Sequence, residues 1–184
     1  MQCTSCNKGQ LEPGFIDGLF RASICNQCGG YWILIEDYLS WKDNNPGYEF
    51  QDDIKYEQEA QESHRALLCP VSGSIMSKFR ISSATSHRLD YSASVGGIWL
   101  DKGEWELILE SGVAGSLNAI VTGEWQHKLR NDAAKAHFGK MYSEKFGEDS
   151  YIKVKHFREW LNSQAHKADL KAYLMADDPY SAEK

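Results

Sequence analysis

Four thiols near the start of this chain stand as two C-x-x-C pairs, Cys3 with Cys6 and Cys25 with Cys28, and 18 residues separate Cys6 from Cys25. A C-x-x-C turn places two thiolates on one side of a metal ion and leaves its amides free to bond to sulfur, so two such turns close a tetrahedral shell. The separation lies inside the interval of about 15 to 20 residues used by zinc sites of this form. The pattern predicts one structural Zn2+ held by Cys3, Cys6, Cys25 and Cys28. Such a four-thiolate site is saturated and leaves no position for water or substrate. Gly29 follows Cys28 and Asn7 follows Cys6, the residue types that best tolerate the left-handed backbone of a metal knuckle. Two other chemistries use the same donors: a dithiol redox pair, which needs a C-x-x-C opening a helix beside a sheet, and an iron–sulfur centre. A hairpin between the pairs argues against the first, and metal analysis decides the second.

That hairpin is expected at FIDGLF, where Asp17-Gly18 stands between apolar residues as in a tight turn. The pattern then recurs. GGYWILIEDYLSW at 29–41 and GGIWLDKGEWELI at 96–108 each set two glycines before Trp32 or Trp99 and an acidic-aromatic stretch. SKFRISSATSHRLDY again offers strand, polar turn and strand, with Phe79, Ile81, Leu89 and Tyr91. Here the positions of the four ligands are taken by Cys69, Ser72, Ser92 and Val95. Two hydroxyls and an isopropyl group cannot replace three thiolates around zinc, so this copy is expected to be metal-free. Its hairpin must be held by packing, since an isolated hairpin is marginal in water.

The residues C-x-x-C followed by C-x-x-C-G-G-x-W, carried by Cys3, Cys6, Cys25, Cys28, Gly29, Gly30 and Trp32, resemble the TFIIB-type zinc-ribbon (transcription factor zinc-finger) family. GGIWLDKGE at 96–104 is similar to the closing segment of that family, although its copy lacks the ligands. The resemblance implies a zinc-binding ribbon of short strands, and the family's name points toward transcription without fixing a partner.

Between the two copies, residues 42–65 carry the breaker Asn-Pro-Gly and seven acidic against three basic side chains, which reads as a linker leading into a solvated helix. Beyond residue 110, Leu117, Ile120, Val121, Trp125 and Leu129 recur at helical steps, as do Val154, Phe157, Trp160 and Leu161. Helices are expected over 113–145, 150–164 and 167–177. The fold class is therefore α+β, with two small zinc-ribbon β-hairpin modules followed by a helical C-terminal region. The division is 1–42 for the metallated ribbon, 43–66 for the acidic linker, 67–110 for the degenerate ribbon and 111–184 for the helices.

A formal charge of −6 over 184 residues lacks the general basic footprint of a non-specific nucleic-acid binder. Lys153, Lys155, Arg158, Lys167 and Lys171 form a local basic group, read as the solvated side of amphipathic helices in preference to a phosphate-facing patch. The opening MQCTSCNKG has no basic and then apolar stretch, so a cytoplasmic protein without a membrane span is expected. No nucleophile elbow, phosphate loop, paired-His motif or dinucleotide fingerprint is present, and no catalysis is expected. His87 with Asp90 is the least implausible acid–base pair. The reading favours another protein as the partner, in a binding or scaffold role. The alternative is a transcription-associated nucleic-acid or RNA polymerase binder.

Overall fold

Asp17 and Gly18 both adopt left-handed backbone, with φ of 47° and 71°, and the turn they form folds the first hairpin. It pairs β1 (Leu11–Ile16) with β2 (Phe20–Cys25), from Ile16 opposite Phe20 to Leu11 opposite Cys25. In the computed structural model, which describes residues 1–51 and 60–180, the segment after Gly-Gly is a third strand, β3 (Tyr31–Leu34), leading directly into α1 (Ile35–Asn44). The order then repeats as β4 (Ser77–Arg80), β5 (Arg88–Ser92), β6 (Gly97–Leu100) and α2 (Glu104–Glu110).

The third strands join the halves. β3 runs antiparallel to β6 with Trp32 opposite Trp99, so the described strands form one sheet in the order β1-β2-β3-β6-β5-β4. A Cβ on Gly97 would collide with the Trp32 indole, and a Cβ on Gly30 with the Trp99 indole. Each half therefore supplies the gap that receives the other half's tryptophan, which is why Gly-Gly-x-Trp occurs twice. Because overpacking a full core costs about 1–3 kcal/mol, Gly97→Ala should lower stability by that amount in denaturant unfolding. Gly47→Ala, where a Cβ meets nothing within 4 Å, should not.

Strand alternation sorts the side chains onto two faces. Phe20, Ala22, Ile33, Leu89, Ile98 and Leu100 pack with Tyr38 of α1 and with Trp105, Ile108 and Leu109 of α2. The opposite face carries Trp32, Trp99, Leu11, Leu67, Met76 and the cysteines. The second hairpin is thus supported by its neighbour strand and by α2.

The helix expected over 113–145 is interrupted. A 3-10 turn at Ala114–Ser116 and the short α3 (Leu117–Ile120) precede α4 (Gly123–Phe146). Thr122 causes the restart: its hydroxyl donates to the Ala119 carbonyl at 2.7 Å and accepts from the Trp125 amide at 3.2 Å, as an N-cap does. The break frees Leu117 and Ile120 to enter the core, and Trp125 Nε1 donates to the Ile81 carbonyl at 3.1 Å. α5 (Glu148–Ser163) and α6 (Lys167–Met175) follow close to their expected bounds.

The chain divides into two compact units, Met1–Asp132 and Ala133–Lys184. The first contains the whole sheet together with residues 111–132 of the expected helical region. The second consists of the rest of α4 with α5 and α6. The solvated helix expected within 43–66 falls largely on residues 52–59, outside the described residues, and residues 60–66 are not helical. Among the described residues, no helix is long and apolar enough to cross a membrane.

Candidate metal centre

The loop before β1 and the loop between β2 and β3 bring Cys3, Cys6, Cys25 and Cys28 together, with all four sulfurs within 4.8 Å of one another. The Cys3 and Cys28 sulfurs are 3.6 Å apart, and those of Cys6 and Cys25 are 3.7 Å apart. A zinc tetrahedron with bonds of about 2.3 Å has edges of about 3.8 Å, so the donor set fits this ion. The first knuckle is closed by hydrogen bonds from Cys3 N to the Gly9 carbonyl and from Asn7 N to the Cys3 carbonyl, at 2.9 and 3.2 Å. In the second, Cys25 N donates to the Gly30 carbonyl and Gly29 N to the Cys25 carbonyl, at 2.9 and 3.0 Å. Asn7 and Gly29 have φ of 55° and 71°, the left-handed conformation expected of both.

Backbone amides surround the sulfurs. Cys6 N donates to Cys3 Sγ at 3.4 Å, Gly9 N to Cys6 Sγ at 3.3 Å, and both Gln27 N and Cys28 N to Cys25 Sγ at 3.5 Å. The amides of Lys8 and Gly9 draw the Cys6 thiol down to about 6. Burial instead pushes the Cys3 and Cys28 thiols up. A divalent cation supplies the positive charge that lets all four exist as thiolates in this partly buried place. When bound, the ion orders the two loops, and four sulfurs leave it no open position. Gly9 is a supporting residue that the cysteine spacing does not reveal, since a Cβ there would run into Cys25 Sγ. Its signal is only its place three residues after a ligand.

The corresponding place in the second half has a similar turn with different side chains around it. Ser72 N donates to Cys69 Sγ at 3.3 Å, and Cys69 N donates to the Ser74 carbonyl at 2.8 Å. The Ser72 hydroxyl lies 2.8 Å from those of both Ser74 and Ser94, and Ser94 lies 3.0 Å from Ser92. Burial raises the Cys69 thiol, but the Ser72 hydroxyl and amide and the Ser92 hydroxyl outweigh it, and the net shift is downward. A chain of hydroxyls thus occupies the space where the first half gathers sulfurs.

The second half is also fastened by a polar clamp that no sequence motif announces. Asp101 accepts from Trp99 Nε1 at 2.9 Å and from Ser63 N at 2.7 Å. Lys78 pairs with Asp90, its cross-strand partner, at 2.8 Å and donates to the Ser63 carbonyl at 2.6 Å. His87 and Asp90, the least implausible acid–base pair of the sequence, do not pair. Three residues apart on extended chain, the two side chains leave opposite faces, and His87 instead approaches Glu104. The basic group Lys153, Lys155, Arg158, Lys167 and Lys171 is exposed on α5 and α6, with Lys171 bonded to Asn162.

Residues 2–44 match the family described as transcription factor zinc-finger. β1, β2, β3 and α1 carry the matched segment, and the four clustered cysteines within it are consistent with a TFIIB-type zinc ribbon. The match covers under a quarter of the 184 residues and stops before the second half. Neither the curated proteins nor the solved structures give a match to this chain.

Proposed function

We propose that this protein is a non-catalytic interaction module in which one structural zinc orders the first ribbon, the second ribbon is its metal-free counterpart, and the helical unit meets another protein. The observation that carries the reading is the four-sulfur cluster, whose spacing fits a zinc ion bound by four thiolates, a shell that leaves no position for a reacting ligand. The helical unit supports the choice of a protein partner. Phe138, Tyr142, Phe146, Phe157 and Trp160 are each between 39% and 51% exposed, and Leu161 is its buried apolar residue among those described. Exposed aromatic groups of this kind are the usual anchors of protein interfaces. A net charge of −6 gives polyanions little general attraction.

The alternative, a transcription-associated nucleic-acid or polymerase binder, draws on the family name and on the exposed Phe157 and Trp160 rings, 5.4 Å apart and tilted to one another, on the helix that carries exposed Lys153. Co-purification of the full chain and of Trp160→Ala at high salt separates the two. A stoichiometric protein complex lost in the variant supports the proposal. Binding of labelled DNA or RNA that disappears steeply with added salt, with no such protein complex, overturns it.

A further inference from the structure

The sheet face opposite the metal holds a second ionisable site that neither zinc binding nor partner docking uses. Glu104, the first residue of α2, is 1% exposed. Its Oε2 accepts the Asp101 amide at 2.9 Å, while Oε1 is buried with no hydrogen-bond partner. His87 lies just before β5 on the same side as Leu89, and its Nδ1 is likewise buried without a partner. These two orphaned atoms face one another at 3.9 Å. An adjustment of about 1 Å would bring them to ordinary hydrogen-bond distance.

The charge environment decides which form the pair takes. Asp101 precedes α2, Asp90 projects from β5 and Glu62 lies next to Ser63, whose amide bonds to Asp101, and all three disfavour a further negative charge at Glu104. The nearby cation Lys78 is already engaged by Asp90 and the Ser63 carbonyl. An ionised Glu104 would therefore be a buried carboxylate among three acids with one oxygen unbonded, an arrangement costing several kcal/mol in general. A protonated Glu104 has a donor to offer, and its orphaned oxygen faces an imidazole nitrogen that lacks a partner.

We propose that Glu104 is kept as a neutral carboxylic acid in the folded protein and donates its proton to Nδ1 of His87, forming a buried acid–imidazole latch that pins the start of α2 to the start of β5 and releases it when the acid ionises. The reaction that opens the latch is loss of one proton from Glu104 to solvent base, leaving the carboxylate and the neutral imidazole. Burial, first, and then the neighbouring acids push the Glu104 carboxyl up to about 9 from its ordinary 4.5, which agrees with the geometry.

The sign follows from proton counts. Between the unfolded and folded values the folded chain holds a proton that the unfolded chain has released, so stability is lost as pH rises through that window. In Glu104→Gln the amide donates to the same imidazole nitrogen and does not titrate. Relative to this variant, both zinc-loaded, the unfolding constant of the parent chain should grow by up to about tenfold per pH unit between about 5.5 and 8.5. A difference between the two proteins that stays flat with pH would overturn the proposal. Nitrogen NMR of the parent chain gives a second readout that needs no variant. At pH 7 the Nδ1 of His87 should carry the chemical shift of a hydrogen-bonded acceptor, and protons on both ring nitrogens would overturn the latch in favour of an ion pair.

Discussion

Changing Cys25 to serine should reduce the zinc content from one equivalent per chain to near zero and loosen the first hairpin. Cys25 is 2% exposed and its sulfur accepts two amides, so the hydroxyl would be a weaker donor in a place built for a large, soft anion. Structural zinc contributes about 10–16 kcal/mol of apparent binding energy in small finger peptides. That is comparable with the whole stability of about 5–15 kcal/mol typical of a domain. β2 pairs with β3 at Ser23 with Trp32 and Ile24 with Tyr31, whereas β3 pairs with β6 at four positions. The metal knuckle therefore ties the Cys25 end of the first hairpin to the rest of the sheet, while Ile16, Phe20 and the Trp105–Asp17 hydrogen bond hold its turn end. Hydrogen exchange should accelerate most in β1 and β2 and least in β5 and β6. Metal analysis checks the first claim directly, and a variant with full zinc content contradicts the ligand assignment. Cys69→Ser should leave zinc at one equivalent, because the hydroxyl chain around it gathers no metal.

The difference between those two cysteines is readable from spacing alone, because metal chemistry constrains residue type at fixed offsets more tightly than packing does. The left-handed positions Asn7 and Gly29 and the Asp17-Gly18 turn are legible for the same reason: each is a local backbone demand that few residues meet. The joining of the halves is not. Trp32 and Trp99 repeat visibly in the chain, but that each fills the gap above the other half's glycine is a contact between positions 65 and 69 residues apart, and pairing of third strands has no local signature. The break before α4 is hidden because Leu117, Ile120 and Trp125 keep a helical interval across it, while the hydroxyl of Thr122 decides the matter. His87 stands out in the sequence, yet with Asp90 as its apparent partner. Proximity along the chain suggests that pair, and the two-residue period of extended chain separates it in favour of Glu104.

Restoring the three missing thiols should give the second half a zinc ion of its own. The combined variant Ser72→Cys, Ser92→Cys and Val95→Cys, with native Cys69, is expected to bind two equivalents of zinc per chain. The backbone required is already in place. Cys69 Sγ accepts the Ser72 amide at 3.3 Å, matching the 3.4 Å contact from Cys6 to Cys3. The bridge between Leu68 and Ile75 matches that between Gln2 and Gln10. Gly73 and Gly96 have φ of 70° and 63°, the left-handed conformation found at Asn7 and Gly29 in the metallated half. What changes is the filling. The Ser72, Ser74, Ser94 and Ser92 hydroxyls satisfy one another, a set of neutral hydrogen bonds worth about 1 kcal/mol each, which a metal bound by four thiolates outweighs by a wide margin. Ser72→Cys alone should stay at one equivalent, since two thiols do not close a tetrahedral shell. Metal analysis together with circular dichroism reads the result. A correctly folded triple variant that still holds one zinc would show that the second half does not offer the geometry of a metal site.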